Sequence, residues 1–324
     1  MKTVSLPKTD LVPSALCLGG VALGSRLDEQ ESFALLDAFV DCGGNFVDTA
    51  KVYADWLPGA RSVSEKTIGR WLRRRGHRSR LVVSTKGAHP ELSTMHKPRL
   101  DRNAIDRDLT QSLRNLQVEC IDLYWLHRDD PARPVELIID ALQEQVTAGK
   151  IRYYGCSNWR AERIAAAQAY AQRRGWTGFV ANQPLWSLAS VAPQSLPDPT
   201  MVAMDADLLN LHRTSDLPAI PYAAQANGFF TRFAAHALDK MNPTQRTLYE
   251  TPENLHRAAR VQQLAAESGL TITAVVLGYL RSQPFLTIPI VGCHTLAQLA
   301  DSCRAAATEL SAAQLAFLES ANQA

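Results

Sequence analysis

The sequence of 324 residues predicts an α/β protein folded as a (β/α)8 barrel, with residues 1–324 forming a single domain. Eight short apolar runs alternate with longer amphipathic stretches, and no linker or low-complexity segment divides them. Runs such as LVVST and LTIPIV are apolar almost throughout, which is typical of parallel strands covered on both faces. The eight predicted strands are residues 15–18, 45–48, 81–85, 121–126, 151–156, 178–181, 219–222 and 286–291.

The stretches between the runs carry apolar residues at helical spacing. Ile105, Leu109, Leu113 and Leu116 recur every three or four positions and therefore share one helix face. Residues 271–280 are apolar on most sides, which predicts a buried helix. Three further stretches have the same spacing: Phe33, Leu36 and Val40; Leu137, Ala141, Leu142 and Val146; and Leu255, Ala258, Val261 and Leu264.

The two ends of the chain lie outside this repeat. Residues 2–13, KTVSLPKTDLVP, have two extended pieces around a turn, and they predict a hairpin that closes the bottom of the barrel. Ser311 is a candidate N-cap for an extra helix with Leu315 and Leu318 turned inward. The predicted architecture is therefore a (β/α)8 barrel with an N-terminal β-hairpin and extra C-terminal helices.

An open, doubly wound sheet is the competing arrangement. It expects a glycine-rich phosphate turn, GxGxxG, directly after the first strand. The sequence at that place reads LGGVALGS, which lacks this spacing, so the barrel is favoured.

Composition excludes several function classes. The net charge is +2, from 34 basic and 32 acidic residues, so we expect no nucleic-acid partner. No apolar run reaches about 18 residues, and the first residues lack an apolar signal-peptide core, so we expect neither a membrane span nor secretion. The six cysteines form no CxxC pair, which favours reduced thiols in the cytoplasm. The sequence does not indicate an oligomeric state.

Polar residues follow most of the apolar runs. The active site of a barrel lies at the carboxyl ends of its strands. An acid, a lysine, a histidine and amides occur at these ends, and a tyrosine follows the second strand by five residues. These residues are Asp48, Tyr53, Lys86, His127, Ser157, Asn158, Asn182 and Gln183.

Four of these residues form a plausible proton-transfer set. A lysine ammonium beside a phenol favours phenolate, so Lys86 is expected to lower the pKa of Tyr53. Asp48 would hold Lys86 charged, and His127 would hydrogen-bond a substrate oxygen. Each residue alone also has a structural interpretation, as a cap, a solvated strand end or a surface aromatic.

In this respect the sequence resembles the aldo-keto reductases. The matching segments span residues 17 to about 302 and read GGNFVDTAKVYADW, STKG, IDLYWLHRDD, GCSNW, NQPLWSL and IPIVGCHTLAQL. The resemblance implies NAD(P)H-dependent reduction of an aldehyde or ketone, with Tyr53 as proton donor. It also implies that Lys86 and Asp48 tune Tyr53 and that His127 orients the carbonyl.

The resemblance further implies a cofactor site. Ser157, Asn158 and Gln183 would hold the nicotinamide carboxamide, and Trp186 would stack on the ring. Residues matching the segments around the cofactor also include Gly20, Asp48, Tyr222, Ala223, Gln225, Gly228, Gly292, His294, Gln298 and Ser302.

One position departs from the family pattern. The family usually carries Arg or Lys where this chain has His294, next to the adenosine 2′-phosphate. A neutral histidine is a weaker phosphate clamp than arginine. NADPH is the predicted cofactor and NADH the alternative, with Arg232 and Arg304 near enough in sequence to assist.

The substrate pocket is predicted from the loops beside the four catalytic residues. Tyr53, His127, Trp56 and Arg128 are the predicted substrate residues, and Trp56 and Trp125 are expected to wall the pocket. His89, Arg128 and Asp130 also lie next to the catalytic residues in sequence. With Arg128 and Asp130 close by, a polar or hydroxylated aldehyde, such as a sugar-derived one, is favoured over a steroid.

Two other functions remain open on the sequence. One is a nicotinamide-binding regulatory or scaffold subunit with slow turnover. The other is a different barrel enzyme, such as a hydrolase or isomerase, which the absence of a paired-carboxylate or metal-ligand pattern disfavours. The basic segment 70–80, RWLRRRGHRSR, is interpreted as a solvated face.

Overall fold

The computed structural model of the chain describes residues 1–320. Seven parallel strands in this range lie side by side in the order β6-β5-β4-β3-β2-β1-β7. This arrangement confirms the predicted barrel class, and the strand bounds differ from the predicted ones by one or two residues at most ends. The strands are β1 (Cys17–Gly19), β2 (Phe46–Asp48), β3 (Val82–Gly87), β4 (Ile121–Leu126), β5 (Ile151–Ser157), β6 (Phe179–Gln183) and β7 (Ile290–Val291).

Residues 219–222 close the barrel, but they do not form a regular strand. The predicted strand at 219–222 makes isolated bridges from Ala219 to Asn182 on one side and to Thr287 on the other. The amide of Ile220 donates to Asn182 at 2.8 Å, and the amide of Ala219 donates to Leu286 at 3.0 Å.

Prolines explain why these contacts are bridges and not continuous ladders. Pro218 precedes the closing segment and Pro221 lies within it, and Pro289 interrupts the predicted last strand, of which only β7 remains regular. Proline has no amide hydrogen to donate, so a ladder is interrupted wherever it occurs.

Twelve α-helices surround the strands within the described residues. Five of them follow strands β1–β5 in turn, and the last, α12, is the extra helix predicted from Ser311, which caps it. The helices are α1 (Glu29–Asp41), α2 (Val63–Arg75), α3 (Arg102–Leu116), α4 (Val135–Thr147), α5 (Ala161–Arg173), α6 (Ala206–Thr214), α7 (Phe229–Ala234), α8 (Pro243–Tyr249), α9 (Pro252–Ser268), α10 (Ile272–Arg281), α11 (Leu296–Ala305) and α12 (Ala312–Glu319).

The core has two parts. One fills the space between strands and helices, and the other fills the barrel interior. Leu6 and Leu11 of the N-terminal hairpin belong to the interior cluster, and the Leu6 amide donates to Leu11 at 3.0 Å. The hairpin therefore closes the bottom of the barrel, as the sequence predicts.

One predicted core residue is on the surface. Leu137 is 54% exposed, whereas Ile138, Ile139 and Leu142 of α4 are fully buried. The other predicted residues of this stripe, Ala141, Leu142 and Val146, do pack in the core, so only its first position is wrong, because a stretch this rich in apolar residues fits more than one face.

Ion pairs neutralise part of the basic segment 70–80. Arg70 pairs with Glu29 at 2.6 Å, Arg75 with Asp37 at 2.5 Å, and Arg78 with Asp122 at 2.8 Å. Among residues 1–320, no single helix is long and apolar enough to cross a membrane; α9 and α10, bent by 103°, pass that test only as a pair.

The contact between α2 and α3 can be tested at Gly69. A Cβ atom at this position would lie 2.2 Å from the Asn115 carbonyl oxygen. Gly69→Ala should lower the free energy of unfolding by about 2 kcal/mol, although the same change in an open helix raises stability by about 1 kcal/mol. Denaturant titration measures this change. The exposed Arg73→Ala on the same helix should shift stability by less than about 0.5 kcal/mol, and a stabilised Gly69→Ala would contradict the close packing.

Candidate active site

Adjacent strand ends bring the four predicted catalytic residues together. Asp48 is the last residue of β2, Lys86 lies near the end of β3, and His127 directly follows β4. Tyr53 lies in the loop after β2, and its ring centroid is 6.0 Å from that of His127.

Lys86 is the centre of the site. Its side chain is 1% exposed, and its ammonium forms an ion pair with Asp48. The same nitrogen donates to the Thr49 carbonyl at 2.7 Å and to the Tyr53 hydroxyl at 3.0 Å. Its three donors are therefore all used, and the pairing with Asp48 and Tyr53 keeps the pKa of Lys86 above its usual value despite burial.

The second carboxylate oxygen of Asp48 is also held in place. It accepts from the Ser84 hydroxyl at 2.6 Å and from the Gln183 amide at 3.2 Å. Gln183 ends β6, on the far side of the barrel. The Asp48 carbonyl accepts the Gly20 amide at 2.7 Å, so Gly20 lies on the floor of the site.

The expected shift of the Tyr53 pKa is wrong in direction. Desolvation raises the pKa of Tyr53 by more than the positive charge of Lys86 lowers it, and the net shift is upward. Tyr53 therefore carries its proton at neutral pH.

His127 is a neutral group in this site. Burial, together with the nearby His89, Arg128 and Lys86, keeps the pKa of His127 well below its ordinary value. Its Nδ1 is buried without a hydrogen-bond partner among the described residues. A neutral imidazole can donate from Nε2 without bringing a second cation next to Lys86.

His89, three residues after Lys86 in the loop that leaves β3, is also part of this site. Its ring lies edge-on to that of His127, with centroids 4.7 Å apart, and the residue is 8% exposed. Burial lowers the pKa of His89 to about 4.

The residues assigned to the carboxamide lie together at the ends of β5 and β6. The Ser157 hydroxyl donates to the Gln183 carbonyl at 2.8 Å. Asn158 donates to the His127 carbonyl at 3.1 Å and accepts from the Tyr222 hydroxyl at 2.8 Å and from the Val202 amide at 3.1 Å. The hydrogen-bonding groups of the Asn158 side chain are thus already used by Tyr222 and the loop after β6.

Trp186 stacks on Phe285 at 5.8 Å between ring centroids and is 7% exposed. One face of its ring is therefore covered by Phe285, and stacking of the nicotinamide on this tryptophan stays a prediction.

The residues assigned to the rest of the cofactor follow the closing segment and β7. Ala223 and Gly228 have left-handed backbone angles, with φ of 52° and 79°. Gln225 lies 3.5 Å from Ser302, and Gln298 accepts the His294 amide at 2.8 Å. Gly292 is exposed beside them.

Arginines surround His294 at this edge. Burial lowers the pKa of His294, and the positive charges of Arg26 and Arg232 lower it further. Arg26 comes from the loop between β1 and α1, which the sequence did not single out. Arg304, the other residue predicted to assist, faces Asp301 at 3.5 Å instead.

The predicted substrate residues have different surroundings. Trp56 is 52% exposed, with its ring centroid 6.5 Å from that of Tyr53. Arg128 is anchored by Asp198 at 3.2 Å and by Thr200 at 2.8 Å. Trp125 has no exposed surface and fills the barrel interior, so the prediction that it walls the pocket is wrong.

Asp130 also points elsewhere, since it lies 3.7 Å from Arg133 and caps its own turn.

A cavity of about 200 Å³ lies between the loops after β2 and β3. Its lining includes Lys51, Arg61, Lys86, His89, Arg99 and Asp108, together with the apolar residues Val52, Pro90 and Leu92.

The comparisons with known proteins agree with this architecture. The Aldo/keto reductase family matches residues 15–323, so the chain belongs to that family and is an NAD(P)H-dependent oxidoreductase.

Its curated relatives match over nearly the whole chain. The oxidoreductase YrpG of Bacillus subtilis is 30% identical, over 94% of this chain and 91% of its own length. The aldo-keto reductase ausK of Aspergillus calidoustus is 29% identical, over 97% of this chain and 80% of its own. An aryl-alcohol dehydrogenase [NADP(+)] of Phanerodontia chrysosporium is also 29% identical, over 96% and 83%.

The buried ion pair gives a stability prediction that is independent of turnover. Lys86→Met leaves the Asp48 charge buried and should cost about 3 kcal/mol of unfolding free energy. Adding Asp48→Asn should recover most of this loss, because no uncompensated charge remains. Denaturant titration of the single and double variants measures both effects.

Lys51→Met is the matched control for this pair. Lys51 is a more exposed lysine at the same rim, 3.4 Å from Asp108, and its loss should cost less than about 1 kcal/mol. Equal instability of Lys86→Met and the double variant would contradict the assigned role of the pair.

Proposed function

We propose that this chain reduces an aldehyde or ketone to the alcohol, with NADPH as hydride donor and Tyr53 as proton donor. The Tyr53 hydroxyl, 3.0 Å from the buried Lys86 ammonium, is the observation that carries the proposal. It supplies a protonated acid next to a fixed positive charge, which is the arrangement a developing alkoxide needs.

Each residue has a separate task in this proposal. Lys86 stabilises the phenolate that Tyr53 becomes once its proton moves to the substrate oxygen. Asp48 keeps Lys86 charged and aimed at Tyr53. His127, being neutral, donates a hydrogen bond to the carbonyl oxygen from Nε2 and so polarises the carbonyl.

The donor set fits a nicotinamide dinucleotide. Ser157, Asn158 and Gln183 carry amide and hydroxyl groups that match a carboxamide, and Gly228 lets the backbone approach a pyrophosphate closely. When bound, the reduced nicotinamide supplies the hydride. Asn158 must exchange its bonds to Val202 and Tyr222 to take this part.

The charge around His294 supports NADPH over NADH. Arg26 and Arg232 form no ion pair with a carboxylate among the described residues, so their charge is available to a 2′-phosphate. The relative from Phanerodontia chrysosporium also carries NADP(+) in its name. His294 would then be a neighbour of the phosphate rather than its main clamp.

A polar or hydroxylated aldehyde, such as a sugar-derived one, is the proposed substrate class. The charged and polar side chains in the lining of the cavity beside Lys86 support it. An aryl aldehyde is the second candidate, because Trp56 and Leu57 expose apolar surface at the mouth and one relative is an aryl-alcohol dehydrogenase.

We further propose that residues 1–324 act as one domain in the cytoplasm. The six free cysteines support this compartment, since disulfides form in oxidising compartments. A nicotinamide-binding regulatory or scaffold subunit with slow turnover is the alternative to an efficient reductase; tight NADPH binding with little turnover of any carbonyl compound would favour it.

Tyr53→Phe tests the proton donor. The rate of NADPH oxidation, followed at 340 nm with a panel of hydroxylated and aryl aldehydes, should fall by about 100-fold or more, because the phenyl ring has no proton to donate. NADPH affinity should be unchanged. Tyr153→Phe, at the bottom of the barrel against Asp10, is the matched control and should keep full activity. Unchanged turnover by Tyr53→Phe would remove Tyr53 from the mechanism.

Arg26→Ala tests the cofactor preference. It should raise KM for NADPH about tenfold and leave KM for NADH unchanged, because only NADPH carries the 2′-phosphate. Arg232→Ala should act in the same direction. Arg304→Ala, which removes a cation already facing Asp301, is the control. An equal effect on both cofactors would contradict a phosphate contact.

A further inference from the structure

The protonation of His89 is set by its backbone neighbour. Its Nδ1 lies 2.7 Å from the carbonyl oxygen of Pro90. A carbonyl oxygen only accepts, so Nδ1 carries the hydrogen of the neutral ring. The other nitrogen, Nε2, is therefore a lone-pair acceptor.

This acceptor has no partner within residues 1–320. No hydrogen bond of the described chain reaches Nε2 of His89, and that atom is not buried away from solvent. The ring lines the cavity beside Lys86, although the side chain is only 8% exposed. An acceptor in so confined a place can be satisfied only by water or by a ligand.

His89 and His127 offer complementary groups. Their ring centroids are 4.7 Å apart, and the His127 ring lies 6.0 Å from that of Tyr53. His127 provides a hydrogen-bond donor beside the reacting hydroxyl of Tyr53. His89 provides an acceptor in the adjacent ring, so a substrate whose carbonyl oxygen is bound by His127 would hold its nearest substituents beside His89.

We propose that His89 determines substrate specificity by accepting a hydrogen bond from a hydroxyl group on the carbon next to the reacting carbonyl. This inference rests on the proposed carbonyl reduction and narrows its substrates to α-hydroxy aldehydes and ketones. A substrate that has an alkyl group in place of this hydroxyl displaces water and leaves Nε2 unpaired, which sites of this kind penalise.

The test compares substrates of equal size. Hydroxyacetone and 2-butanone differ by one hydroxyl for one methyl group, as do lactaldehyde and 2-methylpropanal. For each pair, the ratio of kcat/KM values is measured with NADPH in the wild type and in variants. Comparing ratios between proteins removes the intrinsic difference in reactivity between the two substrates.

Three variants separate the acceptor from the rest of the ring. His89→Leu removes both nitrogen atoms, and His89→Asn can keep the bond to Pro90 but does not reach the cavity. Both should lower the ratio about tenfold, the effect of one neutral hydrogen bond. His89→Gln keeps an acceptor at the reach of Nε2 and should restore most of the ratio.

His96→Leu is the control, since His96 is an exposed histidine on the same loop. Its ratio should equal that of the wild type. NADPH affinity and circular dichroism establish that each variant folds. If His89→Leu does not fold, His89→Asn provides the test.

The outcomes are distinct. Loss of the ratio in His89→Leu and His89→Asn, with recovery in His89→Gln, supports the inference. Turnover of both members of each pair with the wild-type ratio in His89→Leu or His89→Asn overturns it and leaves the proposed function intact. No turnover of any carbonyl compound by the wild type overturns the proposed function, and this inference with it.

Discussion

The buried pair of Lys86 and Asp48 is the interaction on which the site depends. Desolvating two charges is costly, and only close pairing with further hydrogen bonds repays it. The barrel supplies these because β2 and β3 place Asp48 opposite Ser84, two residues before Lys86. Gln183, at the end of β6, donates to the same carboxylate oxygen as Ser84, so Asp48 links residues from opposite sides of the barrel. A shift of register in either strand would separate the charges.

The electrostatics around this pair are those of a fixed cation among neutral acids and bases. Tyr53 keeps its proton, and both His89 and His127 are neutral imidazoles, because burial penalises the charged form of each group. The Arg128 guanidinium is balanced by Asp198. The site therefore holds one proton ready for transfer on Tyr53, and Lys86 is the charge that favours its departure.

Local patterns were enough to predict the barrel and the four central residues, since parallel strands end at one edge whatever their loops do. The other features depend on neighbours distant in sequence. An apolar strand without alternation does not reveal that Trp125 faces the interior. The pairing of residues 219–222 depends on Pro218, Pro221 and Pro289, which lack the amide hydrogens that a continuous ladder requires. The contacts of His89, Trp186 and Arg26 follow from loop paths, which composition and spacing do not determine.

The proline-containing segment gives the barrel wall two unequal halves. From β2 to β5 the strands are joined by continuous ladders, whereas residues 218–222 form isolated bridges and lack two amide hydrogens. Their three remaining amides, those of Ala219, Ile220 and Tyr222, all donate to backbone carbonyls of the neighbouring segments. The residues assigned to the pyrophosphate begin at Ala223, directly after this seam. The hydrogen-bonded seam therefore anchors the start of that segment from both sides of the barrel wall.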